Sequence, residues 1–179
     1  MKKLISFLFN FNKEIKRNRL RKLLKTNNTV SLCYNIGVAY PENLKIEDYV
    51  HIGEGAKIHA NGGVVIGRGT ILGPEVTIYS ANHKFKNAKA IPYDEEYIKK
   101  KVIIGENVWI GGQVIIVPGV EIGEGCIVGA GTVVSGKIEK YSIVVGNPCK
   151  VIGLRDEKEY IDLKKKDEIF LKRRYTKKM

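Results

Sequence analysis

The sequence predicts an all-β solenoid, a parallel β-helix of hexapeptide repeats that carries an N-terminal amphipathic helix, an extruded loop and a short C-terminal helical tail. Three observations predict it. Aliphatic residues recur at every sixth position, at Ile46, Ile52 and Ile58, then after a slip of two at Ile66, Leu72 and Ile78, and again without a slip through Ile104, Ile110, Ile116, Ile122, Val128 and Val134. Seven of these twelve are followed directly by glycine, at positions 53, 67, 73, 105, 111, 123 and 129. The fifth residue of the unit is small or β-branched, as at Ala56, Thr70, Val76, Val108, Val114, Val120, Cys126 and Thr132. A helix repeats near 3.6 residues and a strand at 2, so a period of six belongs to a larger unit. Six residues suffice for one short strand and one corner, and self-similarity at a short fixed period marks a solenoid. The aliphatic residue points inward, the small fifth residue fits where the walls converge, and glycine is expected to relieve backbone strain at the corner.

Before the repeat, residues 1–27 form a basic segment in which Leu4, Leu8, Phe11 and Ile15 fall on one helical face at spacings of four and three. Such a helix either packs on its own protein or a neighbouring subunit, or lies on an anionic membrane surface. Residues 28–153 hold the solenoid, and residues 84–103 interrupt it as a loop that leaves the coil. Residues 154–179 are a charged tail in which Ile161, Phe170 and Leu171 mark a short, partly frayed helical stretch.

At 179 residues the chain is one domain, long enough to bury a core without disulfides. The three cysteines, Cys33, Cys126 and Cys149, form neither a disulfide framework nor zinc-finger spacing and fit a reducing cytoplasm. The start MKKLISFLFN has no small-residue cleavage site after it, and no stretch reaches the length of a membrane span, so a soluble cytoplasmic protein is expected. The net charge of +12 belongs to the ends: nine basic residues against one acidic in 1–25, eleven against six in 150–179, and eleven against twelve between them.

The stretch from Val102 to Ile152, with VWIG at 108–111, PGV at 118–120, GAG at 129–131 and GNPCKVI at 146–152, resembles the C-terminal half of the hexapeptide-repeat acyltransferases, in particular the galactoside, maltose and polysaccharide O-acetyltransferases. The resemblance covers about residues 28–153. It implies a left-handed β-helix, a homotrimer with active sites in clefts between subunits, and acetyl-CoA as co-substrate, with no metal.

Acetyl transfer needs a base of near-neutral pKa beside the attacking hydroxyl. His83 is the candidate, because it stands where the repeat is interrupted and where similar enzymes carry their base. His51 and His59 occupy ordinary hexad positions. By resemblance, Gly112 supplies an oxyanion N–H, Trp109 packs beside the active site or anchors a subunit interface, and Ala130, Ser135 and Gly136 contact coenzyme A. Lys150 faces its phosphates, where relatives often have arginine, and Gly153 replaces a second arginine for which Arg155 is the substitute. Asn82 is a candidate acceptor contact. Asp94, Glu95 and Glu96 read as a solvated loop face, with an orienting role toward His83 as the alternative.

The expected reaction is O-acetylation of a saccharide hydroxyl in cell-surface polysaccharide biosynthesis, at the inner face of the membrane if residues 1–25 touch lipid. The alternative is a streptogramin- or chloramphenicol-type antibiotic acetyltransferase. A carbonic-anhydrase-like zinc enzyme is disfavoured by the histidine spacing, and a nucleic-acid-binding protein by the lack of aromatic residues interleaved with basic ones.

Overall fold

The computed structural model describes residues 14–176, so Leu4, Leu8 and Phe11 lie outside the described residues. Residues 14–23 are helical, and the chain then enters a β-helix of six coils whose strands, two to four residues each, form three flat faces. The first face holds Ser31–Leu32, His51–Ile52, Ile71–Leu72, Trp109–Ile110, Ile127–Val128 and Ser142–Val145, closed by the antiparallel strand Lys150–Leu154. The second face holds Gly37–Ala39, Lys57–His59, Thr77–Tyr79, Ile115–Ile116 and Val133–Val134. The third holds Leu44–Ile46, Val64–Ile66, Val102–Ile104, Glu121–Ile122 and Lys137–Ile138. Apart from the closing strand, pairing within each face is parallel. His51 lies beside Ile71, Ile71 beside Trp109 and Trp109 beside Ile127.

The hexad aliphatics fill the interior. Eleven of the twelve are buried and Ile46, near the open N-terminal end, is half-buried. All eight small fifth-position residues are buried with them. Cys126 is one of these; its thiol donates to the Glu139 carbonyl at 3.0 Å, and burial pushes its pKa up, so it is a core residue of low reactivity.

Glycine after the aliphatic residue has a different role from the one expected. None of the seven has a positive φ. They lie where one coil stacks on the next: a Cβ on Gly53 would sit 2.4 Å from the Gly73 carbonyl oxygen, and one on Gly111 would sit 2.6 Å from the Ala130 nitrogen. The left-handed corner is made two residues later, at Gly55, Gly69, Gly125 and Gly131, but also at Tyr49, Glu75, Asn107 and Gln113. Between two of these strained corners, Gln113 Nε2 donates to Glu75 Oε2 at 2.9 Å.

The tail is docked rather than frayed. Asp156 caps the helix Glu157–Lys165 by accepting from the Glu159 N–H, and a second helix spans Phe170–Thr176. Tyr160, Ile169 and Leu171 are buried, whereas Phe170 is exposed. The Tyr160 hydroxyl donates to Glu124 and accepts from Asn107 Nδ2, both at 3.0 Å, and Lys164 pairs with Glu106 and Glu124. Burial opposes ionisation of Glu124, but Lys164 and Tyr160 outweigh it and hold the carboxyl below its usual range.

Two kinds of glycine predict two sizes of damage. Gly53→Ala drives a Cβ into backbone and is expected to cost about 3 kcal/mol. Gly131→Ala meets nothing within 4 Å and strains only its φ of 70°, for about 1 kcal/mol. Urea unfolding at matched chain concentration measures both.

Candidate active site

The second and third faces meet at the corner where the repeat breaks. After Thr77–Tyr79 the chain leaves the coil as a hairpin, Ala81–His83 against Tyr97–Lys99, and re-enters it at Val102. His83 stands opposite Tyr97 in this pair. Its ring stacks on Tyr93, with centroids 3.9 Å apart, and leans on Tyr97 at 4.4 Å. Its Nδ1 is buried without a hydrogen-bond partner among the described residues. A cavity of about 670 Å³ is lined by His83, Lys89, Tyr93, Asp94 and Tyr97. Asn82 is exposed next to His83, in a second pocket that His83 and Tyr97 also line.

The acidic run of the loop is divided. Glu95 and Glu96 are exposed, as expected of a solvated face, but Asp94 is buried at 8%. Its backbone N–H donates to the Lys84 carbonyl at 3.1 Å and its Oδ1 accepts from the Glu96 N–H at 2.8 Å. Asp94 therefore ties down the loop beside His83, a role that burial reveals and sequence does not.

The other candidate residues fall on two edges of the prism. Ser135 and Gly136 lie at the corner between the second and third faces, on the same edge as the hairpin, and both are exposed. Lys150 is exposed at the start of the closing strand, opposite Val145, and the turn before it rests on the second face through Cys149 N–H to the Val133 carbonyl at 3.2 Å. Gly112 and Ala130 lie at the corner between the first and second faces, where the Gly112 carbonyl accepts from Gly131 N–H at 2.9 Å. Trp109 is 55% exposed on the first face, in a groove with Ile71, Arg155, Leu163 and Phe170. Arg155, the expected substitute near Lys150, instead lies over the Tyr160 ring at 5.6 Å. Within one chain, then, His83 with Asn82 occupies one edge, and Gly112 with Ala130 occupies another.

The remaining histidines sit on the coils. His51 Nδ1 is 3.0 Å from Ser31 Oγ on the first face, and His59 stacks on Tyr79 on the second. Among the described residues no cluster of three His, Cys, Asp or Glu side chains is placed to hold a metal ion.

The family described as bacterial transferase hexapeptide (six repeats) matches residues 101–136. A Staphylococcus aureus Mu50 protein named as an acetyltransferase is 35% identical over 154 residues, 83% of this chain and 76% of that protein. The chain belongs to the hexapeptide-repeat acyltransferases. An Escherichia coli K12 protein named for O-acetyl transfer in lipopolysaccharide biosynthesis is 37% identical to this acyltransferase over 122 residues, 64% of this chain and 59% of that one. The chain thus spans about three fifths of the length of that relative. A hexapeptide-repeat acetyltransferase of Vibrio cholerae crystallised with acetyl-coenzyme A superposes with a TM-score of 0.70 at 27% identity, covering 80% of this chain and 79% of that one. A variant of the Bacillus cereus N-acyltransferase AntD, crystallised with dTDP-4-amino-4,6-dideoxyglucose and coenzyme A, does so at 0.64 and 25%, covering 85% and 90%.

The structural part played by His51 has a pH signature. Burial, with a smaller contribution from Arg174, depresses its pKa below the ordinary 6.5. The stability it contributes in the neutral form is present above pH 6.5 and is lost as pH falls through the lower folded value. The melting temperature of this acyltransferase is expected to drop as pH is lowered from 6.5 to that value, with no further loss from His51 below it, and the His51→Asn variant to drop less over the same range.

Proposed function

We propose that this chain transfers an acetyl group from acetyl-coenzyme A to a saccharide hydroxyl, with His83 as general base, in cell-surface polysaccharide biosynthesis. The observation that carries the reading is the place of His83, on the only long excursion from the coils among the described residues, with its ring wedged against two tyrosines at the wall of a cavity. The relative named for lipopolysaccharide O-acetyl transfer supports the saccharide acceptor.

The residues fit coenzyme A. Ala130, Ser135 and Gly136 are exposed, a Cβ on Gly131 or Gly136 would meet nothing within 4 Å, and Lys150 adds an exposed cation near the end of the solenoid. A long, slender pantetheine chain needs a shallow wall of small residues, and its phosphates need positive charge. In the reaction His83 takes the proton of the acceptor hydroxyl as its oxygen attacks the thioester carbonyl. The N–H of Gly112, which no described backbone group takes, stabilises the oxyanion. Collapse breaks the C–S bond, and His83 returns the proton to the departing thiolate.

Because His83 and Gly112 occupy different edges of one prism, this chemistry needs two chains, and a cyclic homotrimer provides three equal clefts. The enzyme acts in the cytoplasm, and the basic residues 1–25 hold it at the inner face of the membrane.

His83→Ala is expected to keep the fold and lower turnover by about 10²- to 10⁴-fold, whereas His51→Ala leaves turnover near that of the parent. Mass gain on glycans compared with streptogramins and chloramphenicol settles the acceptor class. Transfer to an antibiotic and to no saccharide overturns the reading.

Shared clefts make a second prediction. Mixing inactive His83→Ala chains with inactive Gly112→Trp chains, unfolded and refolded together, is expected to restore up to about a quarter of the parental activity, since one cleft in four then draws both intact groups from different chains. No recovery in verified mixed trimers places both groups in one chain's own site.

A further inference from the structure

A second pocket lined by His83 lies between the coils and the hairpin, and its chemistry defines the acceptor further. It encloses about 390 Å³ and is lined by Tyr40, His59, Tyr79 and Tyr97 together with Asn61 and Asn82. His59 and Tyr79 are paired neighbours on adjacent coils, their rings stacked at 5.0 Å with planes 19° apart. Tyr40, Tyr79 and Tyr97 are each 40–47% exposed, so these aromatic faces are offered to solvent rather than spent on the core. Flat rings beside carboxamides suit a pyranose, whose C–H face is apolar and whose rim is hydroxyls.

Asn61 is shared with a second groove of about 520 Å³, lined by Lys45, Lys99 and Lys101 against the single carboxylate of Glu42. Lys45 is taken by Glu47 at 3.1 Å, but Lys99 and Lys101 have no ion pair among the described residues. The hairpin joins the two pockets. His83 is opposite Tyr97 and Ala81 opposite Lys99, so strand alternation puts His83, Tyr97 and Lys99 on one hairpin face. Two strand residues span about 6.8 Å, close to the width of one sugar ring.

From this juxtaposition we infer that the acceptor is a saccharide carrying a phosphate or diphosphate. Its ring packs against the aromatic wall of Tyr40, Tyr79 and Tyr97, the hydroxyl to be acetylated faces His83, and the anionic group lies on Lys99 and Lys101. Lysine ammonium groups bind phosphate as point charges, and two of them on one groove suffice to favour the anion over the free sugar. The inference rests on the proposed function for its acceptor, but the subsite itself binds without turnover.

The test is calorimetric titration of the full-length His83→Ala chain, loaded with coenzyme A, with pyranoses of gluco, galacto, manno and rhamno configuration. Each is offered as the free sugar, the 1-phosphate, the nucleoside diphosphate sugar and a short-prenyl diphosphate sugar. At least one 1-phosphate is expected to bind about tenfold or more tightly than its free sugar. The Lys99→Gln, Lys101→Gln double variant is expected to lose that preference, and Tyr79→Ala to weaken every form alike. Tighter binding of the nucleoside or the prenyl form then identifies the carrier. Equal affinity for sugar and sugar phosphate in every pair, or a preference that survives the double variant, overturns the inference. An active His83→Ala enzyme that still shows the lysine-dependent preference overturns the base assignment alone.

Discussion

Each coil of this protein lies one strand spacing, about 4.8 Å, above the last, and nearly everything else follows from that distance. Backbone groups on the faces are satisfied by the coils above and below, as Gly53 N–H is by the Leu72 carbonyl and Gly73 N–H by that of Ile110. At that spacing a Cβ at these positions would run into the backbone of the next coil, which is why glycine recurs in vertical series at 53, 73 and 111 and at 67 and 105. The interior is narrow for the same reason, so it accepts one aliphatic residue per strand and one small residue per corner.

A scaffold satisfied in this way has little left with which to do chemistry. Its faces are rows of two- and three-residue strands, and its corners are nearly bare. Polar side chains gather where the chain departs from the coil or caps it: His83 and Asp94 in the hairpin, Lys150 in the closing strand, and the Tyr160–Glu124–Lys164 network that fastens the tail. The rigidity of the prism lets these few groups be held at fixed heights along its axis.

What the sequence discloses about this protein follows the same division. Inward positions are legible because the geometry admits so few residue types, and Ile104, Ile110, Ile116 and Ile122 keep their period without error. The glycines are legible as a pattern, but their cause is contact between coils rather than torsion, and contact between residues some twenty positions apart leaves no local trace. Glu75 and Gln113 adopt the left-handed corner that glycine adopts elsewhere, and nothing in their chemistry announces it. His83 stands out because the period breaks beside it. The cluster of Tyr40, His59 and Tyr79 does not, because its members are brought together only by winding, one coil apart. Asp94 reads as one acid among three until burial separates it from the others.

The slip of two residues between Ile58 and Ile66 falls at the same corner as the hairpin, between the second and third faces, and so does the short 3₁₀ turn Pro41–Asn43 one coil earlier. Extra chain enters three successive coils at a single edge. Because the coil on either side resumes in phase, with Val102 beside Val64, an insertion there changes the length of the path without moving any face. Such an edge is a place where segments of different length and chemistry can be exchanged while the hydrogen-bonded walls, and the heights at which they present their other groups, stay as they are. The prism acts as a rack with one open side.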